Sequence, residues 1–599
     1  MGRRRLAIRG WIGAIVVAAV AGAAAAGPAA IKTPDLREWL TYIASDELEG
    51  RAVFTTGFGL ASAYVEEHLH TWGVKPAGDH GSYLQSVRVL GVKTTSHSTV
   101  SVTVNGETRT FADGEAITFP RNMGGKRRFT VDRVEFAGYG LDAPGANHTD
   151  FSGKDVKDAA VVWLGTSGPK NIDRSVFRRV LSGRNRYATE QLGAAASIGP
   201  SSEAGGAGRA GRAGGAGGAG GAGGAGGAGR AGRAEPTPGG PGAPGGAGGS
   251  GGPGGGRGVP LPAADFTTVQ RLDTAIPPTL NASDAFFTFL FSHAPVTYDE
   301  LKRKASAQEE LPSFRLAGAT ITFNVDADYQ IVRTQLTNNV VGLIEGRDPL
   351  LKSTYVAFGA HDDHVGYAEG EVTRGDNGAR RAGAPGRVTP GAEDDRIWNG
   401  ADDDGSGTVA IMALAKAFAE GPRPKRSLIF VWHAGEERGL WGSRYFADYP
   451  TVPLDKVVAQ LNIDMIGRNR DDKASEANTV YLVGSDRISS ELHALNRAAN
   501  AAMPKPMTLN YEFNDPTDLE QLYYRSDHYS YAAKGVPIIF FTTGLHADYH
   551  ANTDEVSKIE FEKMTRITQM VYETGLRIAN LDHAPVRDNK GPRAGRLTP

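Results

Sequence analysis

Four nearly unbroken apolar runs in the second half of the chain, at 355–360, 427–432, 457–463 and 536–541, restrict the fold more than any other feature. A strand is apolar on consecutive positions only when both of its faces are buried, which happens when helices cover both sides of a mostly parallel sheet. Helix-length segments separate the runs; one carries Val409, Met412, Ala413 and Phe418 directly after a Gly-Ser-Gly turn. From about residue 338 the chain therefore predicts an α/β fold, a three-layer, mostly parallel (mixed) sheet flanked by helices.

Upstream the pattern changes twice. Thr33-Pro34 precedes Leu36, Trp39, Leu40 and Ile43 at helical spacing, and a second amphipathic helix is expected over 60–72, with Tyr64, Val65 and Leu69 inward and Gly73 as its stop. After Lys75-Pro76 the period falls to two: Val100, Val102 and Val104 alternate with polar residues and run into Asn105-Gly106, a hairpin signal. Another strand is expected over 159–164. Residues 31–90 thus read as the first part of the main domain, 91–337 as an inserted β-rich module, and 338–583 as the rest of the main domain, with a polar, disordered tail over 584–599.

Within the insert, residues 203–258 hold 29 of the chain's 79 glycines and five arginines. Gly-Gly-Ala repeats bury almost nothing, so they cannot offset the entropy of ordering, and a disordered, solvated loop is expected. Over the whole chain, 40% apolar residues, 22% charged residues and a net charge of −2 give no support to a nucleic-acid partner. No cysteine is present, which excludes thiolate catalysis and disulfides; any metal must rest on His, Asp and Glu. Arg3, Arg4, Arg5 and Arg9 precede an apolar run from Trp11 to Val20 and the small residues Ala24-Ala25-Ala26. This reads as a signal peptide over 1–26, shorter than the ~20 apolar residues a membrane span needs, and predicts export to the periplasm or the exterior without a permanent span.

Ligand-type side chains follow the apolar runs. The first leads into His361-Asp362-Asp363-His364, the second into Glu436-Glu437, the third into Asp464, and the last, within about ten residues, into Tyr549-His550; Asp402-Asp403-Asp404 form a turn before the apolar helix. In an open α/β sheet the carboxyl ends of parallel strands share one edge, where ligands bind. Each group alone has a bland reading as a solvated acid or a satisfied histidine, but all of them at one edge form a candidate metal site.

"GAHDDHVG" (359–366), "NGADDDGSG" (399–407), "HAGEERGLWGS" (433–443), "LNIDMIGR" (461–468) and "DYHANTDE" (548–555) resemble, in order and spacing, the M28 zinc aminopeptidase family. "LEGR" (48–51), "NVVGLIEG" (339–346) and "RSDHYSYAAKGVPIIFF" (525–541) extend the likeness. "FAGYGLDAP" (136–144) and "DFSGKDVKDAAVVWLG" (150–165) are similar to the protease-associated domain inserted in many members. The resemblance implies a zinc exopeptidase fold and two zinc ions. His361 and Asp464 would bind one, Glu437 and His550 the other, and Asp403, favoured over Asp402 and Asp404 by its alignment, would bridge them. It further implies Glu436 as general base acting on a metal-bridging hydroxide, Asp363 as orienter of His361, and Tyr549 as the phenol facing the oxyanion, although Tyr549 also reads as a packing residue. Five O/N ligands suit zinc and exceed what one four-coordinate ion uses.

The substrate class implied is the N-terminus of peptides or proteins, with the α-amine on one ion. A carboxypeptidase or dipeptidase of the same fold would need a cation for the substrate carboxylate, and Arg468 and Arg525 lie near the site motifs. A glutaminyl cyclase would use one zinc; a non-catalytic binding protein would be expected to lack ligands, and none is missing. His364 ranks behind His361 as a ligand, and Asp527 and His528 read as structural or pocket-lining.

Overall fold

The computed structural model describes residues 27–201, 262–370, 372 and 383–588. The signal-peptide reading of 1–26 and the disordered-loop reading of 203–258 lie outside the described residues. Of the expected tail only 584–588 is described, and there the Val586 and Ser490 N–H groups donate to Glu491 and Asp588.

Nine strands lie across the main sheet in the order Phe266–Thr268, Leu84–Ser96, Ala327–Ile344, Ser427–His433, Tyr355–His361, Val457–Ile463, Ile538–Thr542, Thr479–Val483 and Thr508–Asn510, with Lys75–Pro76 as a tenth beside Ala327–Ile344. The central four are the four apolar runs, all mutually parallel. Their neighbours Ala327–Ile344 and Thr479–Val483 are antiparallel, so the sheet is mixed.

Side chains alternate across the sheet, as a period of two requires. Val356, Phe358, Ala360, Phe430 and Leu461 pack on one face against helices Thr33–Ile43, Thr56–Thr71, Gly407–Glu420, Ser490–Ala501 and Phe561–Asn580. Ala357, Ile429, Val431 and Phe540 point the other way, towards Phe446 and Tyr531 of helices Trp441–Asp448 and His528–Ala532. Helix Gly407–Glu420 is buried almost all round, consistent with its apolar sequence. The predicted helix over 60–72 begins four residues earlier, where the Thr55 hydroxyl accepts the Phe58 N–H as its cap. Among the described residues no helix is long and apolar enough to cross a membrane.

Strand Leu84–Ser96 pairs antiparallel with residues 327–340 of Ala327–Ile344, with a bulge at Ile331–Arg333, and the two strands carry the chain out of the main sheet and back. Beyond them lie a six-stranded and a four-stranded sheet. The hairpin Thr99–Val104/Glu107–Ala112 turns at Asn105-Gly106, both with positive φ. These sheets enclose their own core around Val102, Phe136, Phe286 and Phe323.

Candidate metal centre

The carboxyl ends of the parallel strands deliver the polar groups to one edge. His361 is the last residue of its strand, Asp464 directly follows the next, and Glu436 and Glu437 lie in the turn after Ser427–His433. His361 Nε2 is 3.3 Å from Asp403 Oδ1 and 3.7 Å from Asp464 Oδ2. The other Asp403 oxygen, Oδ2, is 3.1 Å from His550 Nε2, which is itself 3.1 Å from Glu437 Oε2. The two carboxylate oxygens of Asp403 thus face two different groups of donors. His364 joins the second group, with Nδ1 3.0 Å from Glu437 Oε1.

The three adjacent aspartates separate by direction. Asp402 Oδ1 accepts the Gly467 N–H at 2.6 Å and its Oδ2 lies 3.2 Å from His546. Asp404 accepts the backbone N–H groups of His361, Gly407 and Met465, tying three loops together. Only Asp403 turns towards His361 and His550. Its own N–H and that of Asp402 donate to the buried Asp554 carboxylate. Gly407 is needed for this packing, because a Cβ there would lie 2.4 Å from Asp404 Oδ1 and 2.5 Å from the Ile463 carbonyl.

Several donor atoms are buried without any hydrogen-bond partner: His361 Nε2, both His364 ring nitrogens, Asp403 Oδ2 and Glu437 Oε1. Orphaned buried polar atoms are costly, and four of these, His361 Nε2, His364 Nδ1, Asp403 Oδ2 and Glu437 Oε1, lie among the donor groups where cations would satisfy them. Tetrahedral zinc with ligands at about 2.0–2.2 Å sets its donors roughly 3.4 Å apart, close to the spacings found. The donor set fits two such ions, one at His361, Asp403 and Asp464 and one at Asp403, Glu437 and the imidazoles of His550 and His364.

The electrostatics agree. Burial alone would lower the His361 pKa, but Asp403, Asp464 and Glu436 hold it well above the usual imidazole range. Burial would raise Asp403, yet His361 and His550 hold it well below the ordinary carboxylate value. Burial and the neighbouring Asp403 carboxylate push Asp464 up to about 7. Burial, then the charges of Glu437 and Asp464, raise Glu436 well above its ordinary value. So many carboxylates in one dry space is a field that calls for positive charge.

The surroundings orient the donors. His361 Nδ1 lies 3.0 Å from the Asp363 main-chain carbonyl, which can only accept, so Nδ1 carries a proton and Nε2, turned to Asp403, is the atom that would meet a metal. The Asp363 carboxylate is farther away, 3.8 Å, and instead accepts the Glu436 N–H at 3.0 Å. Ser526 donates to Asp464 Oδ2 at 2.6 Å. Tyr549 stacks on the His550 ring with centroids 4.0 Å apart, and its oxygen accepts from Arg525 Nη2 at 3.1 Å. Asp403, Glu436, Asp464, Arg525, Tyr549 and His550 line one cavity. Asp527 and His528 face elsewhere, Asp527 towards His433 at 3.4 Å and His528 stacked on Phe540.

Arg51 is the residue local patterning could not find. It is 1% exposed, and its guanidinium donates to the backbone carbonyls of Ile43, Asp362, Asn399 and Gly400 at 2.6–3.1 Å. It therefore bolts the His361–His364 turn to the turn before Asp403. Gly400 completes the junction: its φ is +57°, and a Cβ would come within 2.5 Å of the His364 ring. Arg51 lies in "LEGR", but nothing in that tetrapeptide indicates which carbonyls it will meet; the same holds for Ser526 and Asp554.

Leucine aminopeptidase 1 of Trichophyton equinum is 26% identical over 245 residues, 39% of this chain and 56% of that protein. Leupeptin-inactivating enzyme 1 of Streptomyces exfoliatus is 29% identical over 172 residues, 28% and 34% of the two chains. This chain spans about half the length, or less, of these curated relatives. Among solved structures, the aminopeptidase from Aneurinibacillus sp. strain AM-1 aligns over 94% of this chain and 98% of that one, at 15% identity and a TM-score of 0.40. Residues 339–575, which carry every metal-ligand candidate named above, match the model of peptidase family M28.

Proposed function

We propose that this protein is a dinuclear zinc aminopeptidase that hydrolyses the N-terminal peptide bond of peptides. The observation that carries the reading is the division of Asp403, one oxygen towards His361 and the other towards His550, with orphaned donor atoms on both sides. His361, Asp403 and Asp464 would hold one ion, and Asp403, Glu437 and His550, with His364 as a further donor, the other. When bound, such a pair acidifies water and polarises a carbonyl.

The chain's own groups supply the proton movements. Glu436 sits in the same cavity with its backbone fixed by Asp363. A carboxylate with a raised pKa suits a general base that takes a proton from the attacking water and returns it to the leaving amine. Because the Tyr549 oxygen accepts from Arg525, its own O–H is free to donate to the oxygen that gains charge on the scissile carbonyl.

A carboxypeptidase reading is less well supported. Both arginines near the site are committed: Arg468 bonds Asp472 and Asp548, and Arg525 bonds Glu520 and Tyr549. The names of the relatives, leucine aminopeptidase among them, favour the same choice. The module between the two long strands is read as a protease-associated-type domain, and the pattern of residues 1–26 supports export.

The test is to compare L-leucine p-nitroanilide with its N-acetyl derivative, with and without a zinc chelator. Cleavage of the free-amine substrate only, lost on chelation and regained with zinc, is expected. Equal cleavage of the blocked substrate would overturn the exopeptidase assignment.

A further inference from the structure

The inserted module does more than cover one side of the molecule. It docks on segment 515–529, and the other side of that segment faces the metal centre. Three contacts make the docking. The Tyr529 hydroxyl donates to Glu190, the Arg186 guanidinium lies 3.9 Å from the Tyr524 ring centroid, and Arg179 Nε is 3.3 Å from Glu520 Oε2.

The third contact continues inward. The same oxygen, Glu520 Oε2, is 3.0 Å from Arg525 Nη1. Arg525 turns its other arm, Nη2, to the Tyr549 oxygen at 3.1 Å, and Tyr549 rests on the His550 ring. Two side chains, Glu520 and Arg525, therefore connect the module's Arg179 to the phenol. The link has a physical task. Arg525 is buried beside a cavity rich in carboxylates, with Glu436 among the charges acting on it. Without an anchor on its outer arm, its guanidinium would be drawn towards those carboxylates and away from Tyr549. Glu520 is that anchor, but its side chain is 42% exposed and free to rotate unless a second partner restrains it. Arg179, with a side chain 24% exposed, is that partner.

We infer that Arg179 of the inserted module is a positioning residue for the reaction, acting through Glu520 and Arg525 to hold Tyr549 in the orientation that serves the developing oxyanion. The module is then a working part of the centre even for substrates too small to touch it. This rests on the reading of Tyr549 proposed above.

The experiment is a double-mutant cycle on full-length protein with L-leucine p-nitroanilide, measuring kcat, KM, zinc content and Tm for Arg179→Ala, Arg179→Lys, Glu520→Gln, Tyr549→Phe and the Arg179→Ala/Tyr549→Phe pair. Arg179→Ala should lower kcat about twofold to fivefold, as expected for a partly exposed ion pair, with KM, zinc content and Tm unchanged. Glu520→Gln should do the same from the other side of the junction, and Arg179→Lys should restore most of the rate. In the Tyr549→Phe background the Arg179→Ala change should have no further effect. An equal loss in both backgrounds, or an effect on KM alone, overturns the inference while leaving the peptidase reading standing. A Tyr549→Phe enzyme with undiminished kcat removes the assigned role of the phenol, and this inference with it.

Discussion

His364 Nδ1 lies 3.0 Å from Glu437 Oε1, and neither atom makes a hydrogen bond. An imidazole with both nitrogens unsatisfied, wholly buried beside a carboxylate of the candidate centre, is a poor structural residue and a good donor. The two metal positions should therefore respond differently to substitution. His364→Ala is expected to weaken one ion about 10–100-fold, leaving the other in place, whereas Asp403→Ala should lose both. Zinc per chain, measured by elemental analysis across a chelator titration, decides this; loss of both ions in the His364 variant would refute the two-position arrangement.

Glu436 separates chemistry from metal binding. Glu436→Gln keeps the shape and the backbone bond to Asp363 but cannot accept a proton. The variant should retain its zinc and lose about 10²–10⁴-fold in kcat, the usual range for a general base. Persistent turnover with full zinc content would reassign the base.

Arg51 should control the spacing of the two ligand-bearing turns. Removing it orphans four buried carbonyls, each worth roughly 1–3 kcal/mol, so Arg51→Ala should fold poorly. Arg51→Lys keeps the charge but cannot span all four acceptors. It should fold with a lowered Tm and bind zinc more weakly. Calorimetry and a zinc titration on the Lys variant give the answer, and unchanged zinc affinity would limit Arg51 to a purely structural part.

Glu555 gives a pH signature. Burial, with the charges of Asp395 and Asp46, pushes its pKa up to about 7, above the ordinary carboxylate value. Because the folded value is the higher one, the protonated group adds stability that is fully present below about pH 4.3 and is lost as pH rises through about 7. Wild type should therefore exceed Glu555→Gln in Tm by more at pH 5 than at pH 8. A difference in Tm that stays constant between those pH values would remove this group from the balance.

Much of the scaffold could be read along the chain. The runs at 355–360, 427–432 and 457–463 are strands within a residue of the expected ends, and 536–541 is displaced by two residues at its start, because burial on both faces imposes an apolar pattern on every position. Val100, Val102, Val104 and the Asn105-Gly106 turn fall where period and turn chemistry require. The ligand-type residues were visible for a related reason, since parallel strands must end at a common edge and whatever follows them gathers there.

The remainder depended on contacts between distant parts of the chain. Which oxygen of which aspartate faces His361, the role of the Asp363 carbonyl rather than its carboxylate, the reach of Arg51 to residues more than 300 positions away, and the docking of Arg179 on Glu520 all arise from packing. Periodicity and turn propensity act over a few residues, so they specify strands, helices and the order of motifs. The direction of a buried side chain is settled by the neighbours that satisfy its charge and hydrogen bonds, and those neighbours come together only once the sheet and its insert have assembled.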